Sequence, residues 1–317
     1  MNYWQQLLFV GSITLPVFSL VFIGMWLKWR NKIDDAFTLS ASYIVFNLAL
    51  PVLMFGAIVR TDISAVANIK LVSFAIIAAM ISFFLLWVAA RRWVDEQRNQ
   101  GVFVQASFRS NLGILGLAFC ITTFGQAGLA VGAVLLAVVT PIYNILSIYA
   151  LTHAANQEAK LNWLLLLKDV LMNPLIVAIL LALPLAYWQL ELPSVLMRTI
   201  DYLAAMTLPL ALICIGASLS ITSLKETQVL SWLAVWIKLI ILPLAIAGVG
   251  YALGFSGVEL GCLVLMFASP TAAASFVMVR AIGGNHKLAA NIIALTTLVS
   301  LFTISILIYL LKVFALI

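Results

Sequence analysis

The sequence predicts an all-α polytopic membrane protein. Ten transmembrane helices form two inverted five-helix repeats, with broken helices 4 and 9 crossing near mid-membrane. Three observations lead there. First, 65% of the 317 residues are hydrophobic and 9% are charged, against roughly 25% charged in an average soluble chain. So few charges cannot cover the surface of a soluble domain this size, which excludes a cytosolic enzyme, a disulfide-stapled secreted module and a disordered chain. Second, the apolar residues fall into ten runs near the ~20 residues a spanning helix needs. Third, proline landmarks and a glycine recur at nearly one offset along the chain.

The runs are Leu7–Leu27, Ala36–Val59, Leu71–Ala90, Val102–Phe124, Gly128–Leu151, Val170–Trp188, Tyr202–Ile221, Leu230–Leu253, Leu260–Ile282 and Leu288–Leu311. Leu161–Leu167 is apolar too, but Lys168-Asp169 follows it, so it reads as an interfacial lead-in to span 6. The first span has no basic segment before it and no small-residue cleavage site, so a removed signal peptide is not expected. Counting Lys and Arg in alternate loops gives eleven on one side (Lys28, Arg30, Lys32, Arg91, Arg92, Arg98, Lys160, Lys168, Lys225, Arg280, Lys287). The other side has four, Arg60, Lys70, Arg198 and Lys312. The richer side is expected to be cytoplasmic, which puts both termini outside the cell membrane. The net charge of +6 is scattered as topology signals and forms no phosphate-tracking stripe, so nucleic acid is not an expected partner.

Pro16 matches Pro174 and Pro51 matches Pro209 at an offset of 158; Phe108-Arg-Ser-Asn111 matches Phe267-Ala-Ser-Pro270, and Gly125 matches Gly284, at 159. The halves are then 1–158 and 159–317. Five spans per half is odd, so the second half enters the membrane in the opposite sense, an arrangement common in secondary transporters.

Weak helix formers gather at mid-span in Ser107-Phe-Arg-Ser-Asn111 with Gly113, and in Ser269-Pro270-Thr271. Freed backbone in a bilayer is tolerated only where it is buried or lines a cavity. The expectation is that Ser269 caps, and Pro270 opens, a second half-helix in span 9, with Asn111 capping its counterpart in span 4. The N-termini of both second halves would aim at the crossing and suit an anion. A single proline such as Pro16, Pro141, Pro184 or Pro243 reads equally well as a kink.

All eleven acidic residues lie in loops or near span ends. Two basic residues lie deeper, Arg109 at ~10 Å and Lys238 at ~12 Å from the start of their spans at 1.5 Å per residue. Each either faces a cavity or partner, or snorkels to the headgroups. With no acid at depth, a carboxylate proton relay or sodium site is not expected. Cys120, Cys214 and Cys262 sit in apolar runs without metal-ligand spacing, and His153 and His286 sit at loop positions. No hydrolase, zincin or phosphate-loop motif is present, so no enzyme activity, cofactor or metal is expected.

These residues resemble the auxin efflux carrier family, whose bacterial members are often called malate or malonate permeases. The resemblance spans the chain and rests on Asn47-Leu-Ala-Leu-Pro51, Ser107–Leu117, Asn173-Pro174, Lys238-Leu-Ile-Ile-Leu-Pro243 and Ser269-Pro270. It implies the fold shared by PIN-formed auxin transporters and bile acid symporters. Spans 1, 2, 6 and 7 would be a scaffold, and spans 3–5 and 8–10 a transport domain that slides like an elevator. In the plant relatives, asparagines on span 4 and on the span 6 Asn-Pro motif help hold a carboxylate, and Asn111 and Asn173 are the matching positions. Two departures stand out. The chain has only Thr152–Leu161 in place of the plant carriers' long cytoplasmic loop, and Ser275 in place of a second span 9 proline.

The expected function is secondary transport of a small organic anion, a mono- or dicarboxylate. Asn111, Gly113, Ser269, Pro270 and Thr271 would hold it, Lys238 and Arg109 would attract it, Asn47 and Asn173 would line the scaffold side, and Pro51 and Pro209 would be hinges. The alternatives are a drug/metabolite-type ten-helix carrier and a membrane receptor that binds without transport. Whether the chain works as a homodimer is left open.

Overall fold

The computed structural model describes residues 3–60, 68–154, 172–190, 192–219 and 229–317, with side chains from residue 8 onward. The lead-in expected at Leu161–Leu167, most of the link Thr152–Leu161, and Lys160, Lys168 and Lys225 lie outside the described residues. Among the described residues every regular element is a helix, and the single β-type pairing is an isolated bridge.

The first half opens with α1 (Tyr3–Trp29), then α2 (Asp35–Ile44), which runs through a π-helical turn into α3 (Leu50–Val59). Then follow α4 (Ile69–Trp93), α5 (Gln97–Phe108) and α6 (Leu117–Ala154). The second half holds α7 (Pro174–Tyr187), α8 (Ser194–Ser218), α9 (Val229–Trp236), α10 (Leu242–Ala252), α11 (Gly257–Ala268), α12 (Ala274–Ala281) and α13 (His286–Val313). Side-chain oxygens start several of them. Asp34, Asn68, Asn173 and Asn285 accept from the backbone N–H of Phe37, Lys70, Leu175 and Leu288. Each satisfies one of the donors that a helix leaves unpaired at its start.

Among the described residues seven helical stretches are long and apolar enough to cross a membrane, and Pro174–Tyr187 and Gly257–Ala268 are shorter apolar helices. Helix α4 shows why the surrounding medium is lipid. Ala75, Ala78, Ala79, Ser82, Phe83, Leu86 and Ala90 are buried, while Ile77, Met80, Ile81, Phe84, Leu85 and Val88 form an exposed stripe at helical spacing. Such a stripe would be a liability in water and is at home against acyl chains. The chain is a multi-pass helical membrane protein.

The stretch Leu112–Ala154 is continuous by hydrogen bonding and 43 residues long, or ~65 Å at 1.5 Å per residue, twice a ~30 Å hydrocarbon core. Gly125 resolves this. Its φ of 60° and ψ of −134° are non-helical, a conformation glycine adopts without steric cost. A Cβ on Gly128 would collide with the Cys120 carbonyl, so arms 117–124 and 126–154 lie close together on either side of the bend. Gly283, with φ 72°, follows α12 in the same left-handed region.

Prolines account for two of the π-helical turns. Pro51 follows the turn Val45–Ala49, and Pro243 follows Ile237–Ile241. A proline lacks its N–H and crowds the carbonyl four residues back, so the preceding turn widens. Asn47 and Lys238 sit inside these two widened turns. Pro16, Pro141, Pro184 and Pro209, by contrast, lie within continuous helices. For Pro209, proposed from sequence as a hinge, the helix shows no break, and its ring is exposed.

Helix α1 packs along α8, and α3 packs on α7 and α8. Helices α4, α5 and α6 pack on one another, α11 packs on α6 and α10, and α13 packs on α9, α12 and α5; the two groups meet where α1 packs on α13 and where α1 and α3 pack on α6. The α1–α8 contact is backbone on backbone: a Cβ on Gly24 would strike Ile213, and one on Gly216 would strike Val21.

Candidate functional site

Helix α5 ends at Phe108 and α11 at Ala268, each after twelve residues. Both chains then extend. Arg109 has ψ 105° and Ser269 ψ 144°. The extended pieces meet as a short antiparallel bridge pairing Ser110 with Thr271. The Asn111 N–H donates to the Pro270 carbonyl at 2.8 Å, and the Ala272 N–H donates to the Arg109 carbonyl at 3.2 Å. The freed groups of each break are thus satisfied by the other, as a dry environment demands. Beyond the bridge, one chain enters a π-helical turn, Leu112–Gly116, leading to α6, and the other reaches α12.

Side chains complete the crossing. The Thr271 hydroxyl donates to the Ala106 carbonyl at 2.6 Å, and its N–H donates to the Thr296 hydroxyl of α13 at 3.2 Å. The Ser110 hydroxyl donates to the Phe267 carbonyl at 3.1 Å. Gly116 lets α6 approach α11, because a Cβ there would lie 2.7 Å from Met266 Sδ and 3.0 Å from Ser269 Oγ. Gly113 is half-buried, and a Cβ on it would lie 3.3 Å from Leu50, next to Pro51.

Lys238 is fully buried, at 0% exposure. Its Nζ donates to the Phe267 carbonyl at 3.0 Å, to the Phe108 carbonyl at 3.4 Å and to the Ser110 hydroxyl. All three N–H groups of the ammonium therefore have an oxygen partner. Two of those oxygens belong to the C-terminal turns of α5 and α11, where helix dipoles concentrate negative potential. Snorkelling does not describe this side chain. Arg109 is buried as well, at 7% exposure, and its Nη1 donates to Ser147 of α6 at 3.2 Å while its Nε has no partner among the described residues. The guanidinium is held on α6, and the residue's carbonyl belongs to the crossing. Tyr143 of α6 is edge-on to Phe108 and Phe267 and walls this side.

Two expectations about the breaks need correction. Ser269 ends α11 and returns its hydroxyl to Leu265, while α12 starts at Ala274 with no side-chain cap. Pro270 therefore sits in the extended bridge and does not open the second half-helix. The bridge consumes residues 270–272 before helical geometry can resume. Asn111 stands immediately before the π-helical turn but makes no side-chain cap to it. It is 7% exposed, and its amide is not spent on its own helix end.

Of the residues expected on the scaffold side, Asn47 is exposed and bonds the Tyr43 carbonyl at 3.0 Å, and Asn173 is half-buried and caps α7 at 2.9 Å. The structure brings Arg109, Asn111, Lys238, Ser269, Pro270 and Thr271 together at the crossing. Ser110, Ser147 and Thr296 were missed. The polar run Thr296-Thr297 and Ser300 inside an otherwise apolar span was the available signal for the last. An open apolar groove elsewhere, lined by Leu180, Leu183, Pro184, Tyr187 and Trp188 on and just beyond α7, offers little for a charged ligand.

A bundle of apolar helices, two of them broken and joined at a buried polar centre, defines a polytopic membrane protein of the transporter class. The chain belongs to the Membrane transport protein family, the auxin efflux carrier-like family, whose model matches residues 10–308. It is 28% identical over 301 residues to an "Uncharacterized transporter" of Methanothermobacter thermautotrophicus, covering 93% of this chain and 97% of that one. It is 25% identical over 312 residues to a "Putative malonate transporter" of Rhizobium meliloti, covering 96% of each. A third relative, the "Uncharacterized transporter YfdV" of Escherichia coli, is 25% identical over 272 residues, 83% of this chain and 85% of that one.

Proposed function

We propose that this protein is an elevator-type secondary transporter that moves a small organic anion, a mono- or dicarboxylate, across the cell membrane. The observation that carries the reading is the crossing itself. Two broken helices meet in the bundle, both buried charges beside them are positive, and among the described residues no carboxylate lies within 4 Å of either. Lys238 is balanced by the two helix ends, so the uncompensated charge of this buried centre is that of Arg109, which favours an anion. The Rhizobium meliloti relative carries the name "Putative malonate transporter", and malonate is a dicarboxylate, which points the same way.

In this reading ten spans form two inverted repeats, 1–158 and 159–317. Support comes from the paired breaks after Phe108 and Ala268, and from positive-φ glycines after the two second arms, Gly125 and Gly283, the latter one residue before the sequence match Gly284. Spans 1, 2, 6 and 7 form the scaffold and spans 3–5 and 8–10 the moving body, in keeping with the close packing of α1 on α8 and of α3 on α7 and α8. Asn111 and Gly113 hold the carboxylate beside the 269–271 segment, whose own donors are engaged within the crossing, and Asn47 and Asn173 approach it from the scaffold. Lys238 acts through the bridge, by cancelling the negative helix ends that would otherwise repel an anion.

The test is uptake of radiolabelled malonate and related carboxylates by proteoliposomes of the purified protein. Saturable uptake is the expected result. Binding without flux would favour a receptor, and neither would sink the anion reading. Topology gives a second prediction, with both termini outside from the eleven-to-four loop count. A C-terminal fluorescent reporter that matures only in the cytoplasm should stay dark, and a bright signal would reverse the orientation or make the span count odd.

A further inference from the structure

We propose that the oxygen cage around Lys238 is a monovalent-cation site occupied by the protein's own ammonium, and that a free cation enters it when the side chain is shortened. The cage has the chemistry such ions use. Its ligands are the Phe267 carbonyl at 3.0 Å, the Phe108 carbonyl at 3.4 Å and the Ser110 hydroxyl. The Ser110 hydrogen points away, donated to Phe267 at 3.1 Å, so its lone pairs are free for a cation. The ligand set is neutral and all-oxygen, which suits a hard ion. Two helix C-termini converge on it, and such ends coordinate cations at the broken helices of membrane carriers.

Charge makes the ammonium obligatory. The C-terminal ends of α5 and α11 together present about one unit of negative charge, in a buried place with, among the described residues, no other basic side chain bonded to them. A cation must stand there for the two ends to lie together. The tether supplies it permanently, so the folded protein needs no ion from solution at this point. A cation held by a covalent stem also travels with the crossing and is never released. Transport then requires no dissolved cation at the Lys238 position, whatever the substrate.

The test uses purified protein and no substrate, so its failure is separate from failure of the anion reading. Apparent Tm is measured in sodium, ammonium and choline chloride at equal ionic strength. The parent should be indifferent to the cation. Lys238→Ala should melt roughly 5 °C or more lower in choline and recover saturably in sodium or ammonium, as a ligand of the folded state must produce. Lys238→Met, neutral but filling the same volume, should be destabilised and should not respond. The proposal is overturned if Lys238→Ala matches the parent in choline, if choline rescues it as well as sodium, or if sodium stabilises the parent. Should Lys238→Ala yield no folded protein, the comparison moves to the double variant Lys238→Ala with Ser110→Asp, whose carboxylate strengthens the cage. Folded yield in sodium and not in choline supports the site, and equal yield, or none in either medium, counts against it.

Discussion

Asn111→Ala is expected to insert and purify like the parent and to lose carboxylate affinity by about 10- to 100-fold, the loss of one hydrogen bond to a charged group. The substitution spares the fold for a specific reason. What holds the crossing together at this residue is its peptide N–H, 2.8 Å from the Pro270 carbonyl, and alanine keeps that N–H. The side-chain amide makes no cap to the π-helical turn that follows, so its removal leaves no helix end unsatisfied. Uptake kinetics in proteoliposomes together with a melting curve check both halves of the expectation. A large fall in Tm would make Asn111 a packing residue, and unchanged uptake would move the substrate away from the crossing.

Gly216→Val should have the largest effect on stability. An added Cβ at this position would meet the Val21 carbonyl and lie 3.0 Å from the Met25 backbone nitrogen. Backbone cannot rotate aside as a side chain can, so α1 and α8 must separate along their contact. Overpacking of this kind costs about 3 kcal/mol or more. The reciprocal Gly24 meets Ile213 in the same way. Gly248→Ala is the control, since nothing lies within 4 Å of its Cβ position, and it should be neutral or slightly stabilising by helix propensity. Size-exclusion profiles and melting curves of the detergent-solubilised variants distinguish them. A monodisperse Gly216→Val with the parent's Tm would mean the two helices are not in this contact.

Which features the sequence disclosed, and which it hid, has a physical pattern. Apolar runs announce helices because lipid imposes one polarity on the whole outer face, and α4 and α13 lie within a few residues of their expected bounds. The breaks were legible because Asn111 and Pro270 are poor helix formers at a depth where freed backbone is costly. The restart of the second helix was not, because bridging consumes residues 270–272, and no side-chain type marks that requirement. Ser269 looked like an N-cap, yet it closes the helix before the break. The depth of Lys238 was readable, but its partners were not, since two of the three are backbone carbonyls that every residue possesses. Arg109 presents the same difficulty: Ser147 lies 38 positions along the chain, and only the fold brings them together.

The bridge at Ser110 and Thr271 also sets the mechanics of the centre. A pivot requires backbone that can rotate about its own bonds. Here each extended piece is stitched to the other by two peptide hydrogen bonds, Asn111 to Pro270 and Ala272 to Arg109, and riveted outward to α13 through Thr296. Neither piece can twist without tearing bonds that are buried away from the surface. The crossing therefore behaves as a rigid joint that transmits displacement from one helix to the other. In the proposed transport cycle, a ligand seated there would keep a constant bed while its surroundings change, and the flexibility of the cycle would reside outside the crossing.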